Sequence, residues 1–342
     1  MLPSHWWEKD LATIAALAPL QEIFLEPLQA FDVRVFIKRD DLLDPYIGGN
    51  KIYKLHGHLR HHIKTQKSQH KELPILSFGG AYSNHLYALA AVGKAMGIQT
   101  IGIVRGERPQ QLSATLHDVE KMGMQLHFVT RSLYREKNSR DFKCALARDF
   151  GEHTYVPEGG GGVLGAQGCT AMAGAIMGKL NEQNVHGPSA VVHACGTGTS
   201  LAGLAYGFET LGQVGSVATQ CIGIPVLKNL EGLQKDVAET LTLLGSTAAC
   251  WRLQDGYHFG GYAKFPADLR DFLVQFEAEM SADKDGCGEE GLLLDPVYTS
   301  KTMFAVMDLV QRRSFAPGSN VVVVHSGGLQ GRRGQGLSFM AH

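Results

Sequence analysis

The chain has 342 residues, 44% of them hydrophobic and 19% charged, the proportions of a globular protein with core enough for one large or two medium domains. A formal net charge of -1 supplies no global field for nucleic acid or an anionic membrane, so neither is expected as a partner and a small-molecule ligand is favoured. No run reaches the length of a membrane span, the N-terminal segment lacks the basic start and unbroken apolar core of a signal peptide, and Cys144, Cys169, Cys195, Cys221, Cys250 and Cys287 are scattered without a Cys-x-x-Cys pair; a reducing, cytoplasmic setting is expected.

Glycine punctuates the chain. Its 41 residues cluster at 48–49, 79–80, 159–162, 196 and 198, 260–261 and 327–328. Most clusters follow short apolar, β-prone runs such as Ile75-Leu76-Ser77-Phe78, Ala190-Val191-Val192-His193 and Val321-Val322-Val323-Val324, and helix-compatible sequence follows them. Strands that are continuously apolar, rather than alternating, are buried on both faces. The pattern predicts an α/β fold with open, mostly parallel sheets covered by helices and a ligand at the carboxyl ends of the strands. No repeat, low-complexity tract or Pro/Ser linker divides the chain.

In chain order, the first chemical element is Ile47-Gly48-Gly49-Asn50-Lys51, behind the charged run Lys38-Arg39-Asp40-Asp41. A lysine on tight backbone can form a Schiff base if burial or a neighbouring cation lowers its pKa. Lys54, one helical turn on, is the alternative; taken alone, each lysine reads as a solvated residue at a helix start. In His56-Gly57-His58-Leu59-Arg60-His61-His62, His58 and His62 share a helix face, but no carboxylate or thiolate stands at ligand spacing. The stretch reads as a solvated basic face, and no metal is expected. Phe78-Gly79-Gly80-Ala81-Tyr82-Ser83-Asn84-His85 opens an alanine-rich helix, with Ser83 either a simple N-cap or, with Asn84, facing a ligand.

The segment Ala194-Cys195-Gly196-Thr197-Gly198-Thr199-Ser200-Leu201-Ala202-Gly203 combines successive backbone N–H groups, small hydroxyls and a helix N-terminus into a phosphate cradle. It lacks the Gly-Lys-Ser/Thr end of a Walker loop, and Leu201 stands where a dinucleotide fingerprint needs its third glycine. A single-phosphate cup remains, suited to a phosphorylated cofactor. Further on come Asp295-Pro296-Val297-Tyr298-Thr299-Ser300-Lys301 and His325-Ser326-Gly327-Gly328; Tyr298 alone would be a core aromatic with its hydroxyl paired.

Together with Pro19-Leu20 and Val156-Pro157-Glu158-Gly159-Gly160, this ordered set resembles the fold-type II (tryptophan synthase β-like) pyridoxal-phosphate enzymes, specifically the D-cysteine desulfhydrase and 1-aminocyclopropane-1-carboxylate deaminase group, over nearly the whole chain. The resemblance implies that Lys51 carries pyridoxal 5'-phosphate as a Schiff base, that Cys195, Gly196, Thr197, Gly198, Thr199 and Ser200 form the phosphate cup, and that Asn84 lies beside the ring hydroxyl. It makes Ser83 the substrate-contacting serine and proposed nucleophile, next to Asn84 and His85, and matches Tyr298 and Tyr262 to two tyrosines of the substrate pocket. It also implies a homodimer and two α/β domains, a larger cofactor domain of residues 1–51 plus 161–342 and a smaller inserted one of residues 52–160.

Four places depart from the family. Gly260-Gly261 replaces Gly-Pro before Tyr262, and Tyr82 stands where relatives carry glutamine. Thr299 and Ser326 stand where relatives that open the cyclopropane ring carry glutamate and leucine. A hydroxyl facing the pyridine nitrogen, in place of a carboxylate, leaves a weaker electron sink, enough to expel a good leaving group from the β carbon but poor for ring opening. The expected reaction is β-elimination from a small amino acid, D-cysteine giving hydrogen sulfide, pyruvate and ammonia, with substrate displacing Lys51 and the freed amine taking the α proton. The alternatives are cyclopropane deamination to 2-oxobutyrate and ammonia, serine or threonine dehydratase or cysteine synthase chemistry, and a non-catalytic pyridoxal-phosphate homeostasis protein.

Overall fold

The computed structural model of the protein describes residues 2–212, 219–247, 249–282 and 291–338; Cys287 lies outside them. In the described residues ten strands occur: β1 Leu20–Ile23, β2 Val33–Lys38, β3 Ile75–Gly79, β4 Thr100–Arg105, β5 Gln125–Val129, β6 Thr154–Tyr155, β7 Ala190–Cys195, β8 Gln220–Pro225, β9 Trp251–Leu253 and β10 Ser319–Val324. They form a six-stranded sheet in the order β1-β2-β10-β7-β8-β9 and a four-stranded sheet in the order β5-β4-β3-β6. Every pairing is parallel except that of β1 with β2.

The three apolar runs singled out in the sequence are β3, β7 and β10. β3 and β7 are buried at every position, as strands covered by helices on both faces must be. The smaller sheet is built wholly from strands between residues 75 and 155, whereas the larger takes strands from before and after that stretch. The helix Lys51–Gln69 links the two and lies against the helix Gly162–Cys169. That contact is close: a Cβ on Gly168 would sit 1.9 Å from the carbonyl oxygen of Tyr53.

The charged run at the end of β2 is interior scaffolding. Lys38 pairs with Asp40 at 2.9 Å and Arg39 with Asp41 at 2.9 Å, all four side chains buried. Tyr53 donates its hydroxyl to Asp40 at 2.7 Å, and the Asp40 carbonyl accepts from the N–H of Gly49 at 2.8 Å. Breaking one member of such a buried pair leaves an uncompensated charge, at a cost of about 3–5 kcal/mol. The run thereby holds the loop that presents Lys51.

The helix that follows corrects one expectation. His56, His58 and His62 are buried, not solvated. His58 Nε2 meets the carbonyl of Gly161 at 3.0 Å and His62 Nδ1 meets Thr154 Oγ1 at 2.7 Å, so they tie the helix to both neighbouring loops. Burial lowers the pKa of each, and both stay neutral. Among the described residues, no three histidine, cysteine or acidic side chains come together to hold a metal ion, and no helix is long and apolar enough to cross a membrane.

Candidate active site

The glycine loops after β3, β7 and β10 converge with the loop before Lys51 on one cavity of about 200 Å³. Two of these loops meet backbone to backbone: a Cβ on Gly49 (φ 77°) would lie 2.0 Å from the carbonyl oxygen of Ser326, and one on Gly327 would lie 2.5 Å from that of Gly48. Only glycine permits that approach. It brings Ser326 and Lys51 into a single site although 275 positions separate them in the chain.

Neither lysine is a free surface residue: Lys54 is buried and Lys51 half-buried. The Lys51 amine is pushed down to about 7, first by burial and then by the Lys54 ammonium, so near neutrality a large fraction is the free, nucleophilic amine. Lys51 donates to Asn50 Oδ1 at 2.7 Å, and Asn50 Nδ2 donates to Ser200 Oγ at 2.9 Å. Asn50 therefore fixes the lysine relative to the cup. Lys54 points into the cup itself, its Nζ 3.4 Å from Thr197 Oγ1, where an ammonium adds to the N-terminal end of the helix Thr199–Gly212. Burial lowers its pKa as well.

Gly196, Thr197, Gly198 and Ser200 line the cavity. Cys195 lines it too, but its thiol lies 3.7 Å from the carbonyl of His193 and 2.7 Å from where a Cβ on Gly223 would stand, inside the sheet, and burial raises it to about 12. The hydroxyl of Thr199 lies 3.1 Å from that of Thr197, and Thr199 is not among the lining residues. At the opposite end, Ser326 lines the cavity and Thr299 does not. The Thr299 hydroxyl bonds Asp295 Oδ1 at 2.8 Å, and the same carboxylate accepts N–H groups of Val297, Tyr298 and Thr299 in the turn that leads into the helix Thr299–Gln311. Of the two hydroxyls, Ser326 is the one facing the cavity. Asn84 also lines it, with Oδ1 accepting from Gln330 Nε2 at 2.7 Å; Gln330 stands two residues past Gly328, outside any motif, and was not legible.

On the substrate side, Ser83 is the N-cap of the helix Asn84–Met96, its Oγ accepting the N–H of Leu86 at 3.2 Å, and it stands at the cavity wall. Tyr82 does not line the cavity; its ring turns toward Gly334, whose Cβ would lie 3.1 Å from it. Its carbonyl accepts from the hydroxyl of Tyr262 at 3.0 Å, and the hydroxyls of Tyr262 and Tyr298 stand close enough to influence each other's titration. Burial raises both phenols, which therefore remain protonated donors. The loop carrying Tyr262 is pinned by Lys301, which donates to the carbonyls of His258 and Gly261, both at 2.9 Å, while Phe259 (φ 51°) and Ala263 (φ 55°) hold left-handed backbone that non-glycine residues rarely adopt. His85 completes the wall. Ser77 Oγ donates to the carbonyl of Val156 at 2.7 Å, so at 2.7 Å from His85 Nε2 it accepts that N–H, which leaves His85 Nδ1 a lone-pair acceptor. Burial, then Lys51 and Lys54, keep the ring neutral.

A half-buried, partly neutral lysine shares one cavity with a glycine- and hydroxyl-rich loop that Lys54 meets and with the neutral residue Ser326, and these donors fit a phosphorylated pyridine aldehyde. That combination, at the carboxyl ends of parallel strands, defines a pyridoxal-phosphate enzyme. The family model described as pyridoxal-phosphate dependent enzyme matches residues 17–327, and the chain belongs to that family. A Pyrococcus horikoshii relative, named provisionally as a 1-aminocyclopropane-1-carboxylate deaminase, is 28% identical over 301 residues, 87% of this chain and 85% of its own. A protein from Salmonella typhi named D-cysteine desulfhydrase is 28% identical over 331 residues, 93% of each chain. A solved structure described as an ACC deaminase homologue superposes with a TM-score of 0.72 at 25% identity, covering 92% of this chain and 90% of that one. A hydrogen sulfide-producing enzyme from Fusobacterium nucleatum shares the fold, with a TM-score of 0.62 at 12% identity over 94% of this chain and 99% of that one. The protein is thus a fold-type II pyridoxal-phosphate lyase related to both groups.

Proposed function

We propose that the protein carries out β-elimination on a small amino acid, D-cysteine being converted to pyruvate, hydrogen sulfide and ammonia. One observation carries this reading over cyclopropane ring opening: Glu158 is the sole carboxylate among the cavity's lining residues, it is bonded to Tyr134 and Lys137, and Ser326 offers a hydroxyl where a strong electron sink would need an acid. Bound on Lys51, the cofactor supplies an electron sink for charge developing at the α carbon.

The chain's own groups do the rest. With the cofactor bound, Thr197, Gly198, Ser200 and the neighbouring N–H groups, with Lys54, would hold its phosphate, and Asn84 and Ser326 would offer an amide and a hydroxyl to its ring. The N-terminus of the helix Asn84–Met96, with Ser83, orients the substrate carboxylate, next to His85. Lys51, released by the incoming amine, takes the α proton as a neutral base. Tyr298, kept protonated by burial, donates toward the departing sulfur. The Cβ–S bond breaks with its electron pair on sulfur, and water converts the remaining aminoacrylate to pyruvate and ammonia. The same reading takes residues 52–160 as the inserted domain, a division supported by a four-stranded sheet made only from that stretch. It also makes the protein a cytoplasmic homodimer, which light scattering tests.

Purified protein is treated with D- and L-cysteine, D- and L-serine and 1-aminocyclopropane-1-carboxylate while cofactor absorbance, sulfide, pyruvate and 2-oxobutyrate are followed. Sulfide from D-cysteine should dominate, and Lys51→Ala should abolish both turnover and the absorbance of lysine-bound cofactor. Release of 2-oxobutyrate as fast as sulfide would overturn the reading.

A further inference from the structure

Arg105 is the last residue of β4. Val104 pairs with Gly79, so Arg105 stands beside the Gly80 to Ser83 turn, and its side chain lines the cavity. It is exposed and, among the described residues, forms no hydrogen bond or ion pair. The one lining carboxylate does not neutralise it: Glu158 accepts the Tyr134 hydroxyl at 2.7 Å and pairs with Lys137 at 3.4 Å. Arg105 nonetheless stands close enough to act electrostatically on the hydroxyls of Tyr134 and Tyr262.

Charge accounting then leaves Arg105 over. Three cations line the cavity, Lys51, Lys54 and Arg105. Lys51 is committed to the cofactor and Lys54 to the phosphate cup, while the N-terminus of the helix Asn84–Met96 receives the substrate's α-carboxylate. Lys228 follows the lining residue Leu227, its Cγ 3.8 Å from where a Cβ on Gly261 would stand, and adds a second exposed cation at the rim. A bare thiol gives Arg105 nothing to bind. A guanidinium presents a fork of donors matched to carboxylate or sulfonate oxygens.

We propose that the preferred substrates are α-amino acids whose β-substituent bears its own anionic group, such as a carboxylate or sulfonate, and that Arg105 selects them. This rests on the elimination reading above and extends it, with D-cysteine a minimal substrate that lacks the anionic tail and leaves Arg105 unused. The bond broken is still Cβ to sulfur, the proton still passes from Cα to Lys51, and the leaving group is a thiolate carrying an anionic tail.

The test uses holoenzyme and the enantiomers of S-carboxymethylcysteine, S-ethylcysteine and S-(2-aminoethyl)cysteine, with pyruvate as readout. A charge-assisted contact is expected to favour carboxymethyl over ethyl by about tenfold or more in kcat/KM. Arg105→Lys should keep most of that preference, Arg105→Gln should bring the ratio near one, and Arg105→Glu should turn it toward the aminoethyl compound. A wild-type ratio near one overturns the proposal. So does an Arg105→Gln variant that loses equally on all three compounds, which would make Arg105 a ligand of the α-carboxylate. Binding of the same compounds to holoenzyme, followed by cofactor absorbance, reports the charge preference even where no pyruvate forms, so failure of the elimination reading and failure of this one are separately visible.

Discussion

The floor and the rim of the cavity are built differently. On the floor, Asn50 links Lys51 to Ser200, Asp40 anchors the loop before the lysine, and the backbones at Gly49 and Ser326 touch. Each polar group there is held by another, and none can move without disturbing several. The rim is held at few points: Tyr262 to the Tyr82 carbonyl, Lys301 to two carbonyls of the loop, and Arg105 to nothing among the described residues. Such a division suits an enzyme whose cofactor chemistry is fixed and whose substrate choice is adjustable, because a rim residue can change without unseating the cofactor.

Three substitutions probe that contrast, the largest effect first. Gly49→Ala drives a methyl group into the Ser326 carbonyl at a left-handed position, and thermal melts should show a loss of about 3 kcal/mol or more together with lost cofactor; a folded, fully loaded variant would show that the floor yields. Tyr298→Phe, on the substrate side, should lower kcat by about 10²-fold while the absorbance of bound cofactor stays as in wild type. A fall in cofactor content in place of kcat would move Tyr298 from rim to floor. The smallest effect is expected at Lys54. The rate at which cofactor-free protein takes up pyridoxal phosphate covalently should rise with pH through about 7, because the lowered Lys51 pKa makes the neutral amine available above that point. Lys54→Gln removes one of the two causes, so the midpoint should shift to higher pH, and equilibrium dialysis should show cofactor affinity weakened by about tenfold. An unmoved midpoint would leave burial alone responsible.

The floor was legible in sequence because its parts are local. Val321 to Val324 and Ala190 to His193 declare buried strands, and the cup and the Gly-Gly-Asn-Lys segment are contiguous motifs that need no knowledge of the register between strands. Even there, side-chain direction was hidden: Cys195 turns into the sheet and Thr299 to Asp295, because which way a residue faces depends on local turns and on what packs behind it. Lys54 and His58 read as solvated because their burial comes from the Gly160–Gly161 loop and the helix that follows it, over a hundred positions away. The rim was barely legible. Arg105 belongs to no motif and reaches the site only because β4 pairs with β3, and the direction of the Tyr82 ring follows from its contact near Gly334.

The order of the larger sheet bears on how the protein is made. β10, the last strand in sequence among those described, lies between β2 and β7. During synthesis the β1–β2 hairpin and the Lys51 segment emerge early, yet they have no lateral partner in the sheet until residues 319–324 leave the ribosome. The inserted sheet can fold while translation continues, whereas the strand that joins β2 to β7, and so unites the two parts of the larger sheet, is made last.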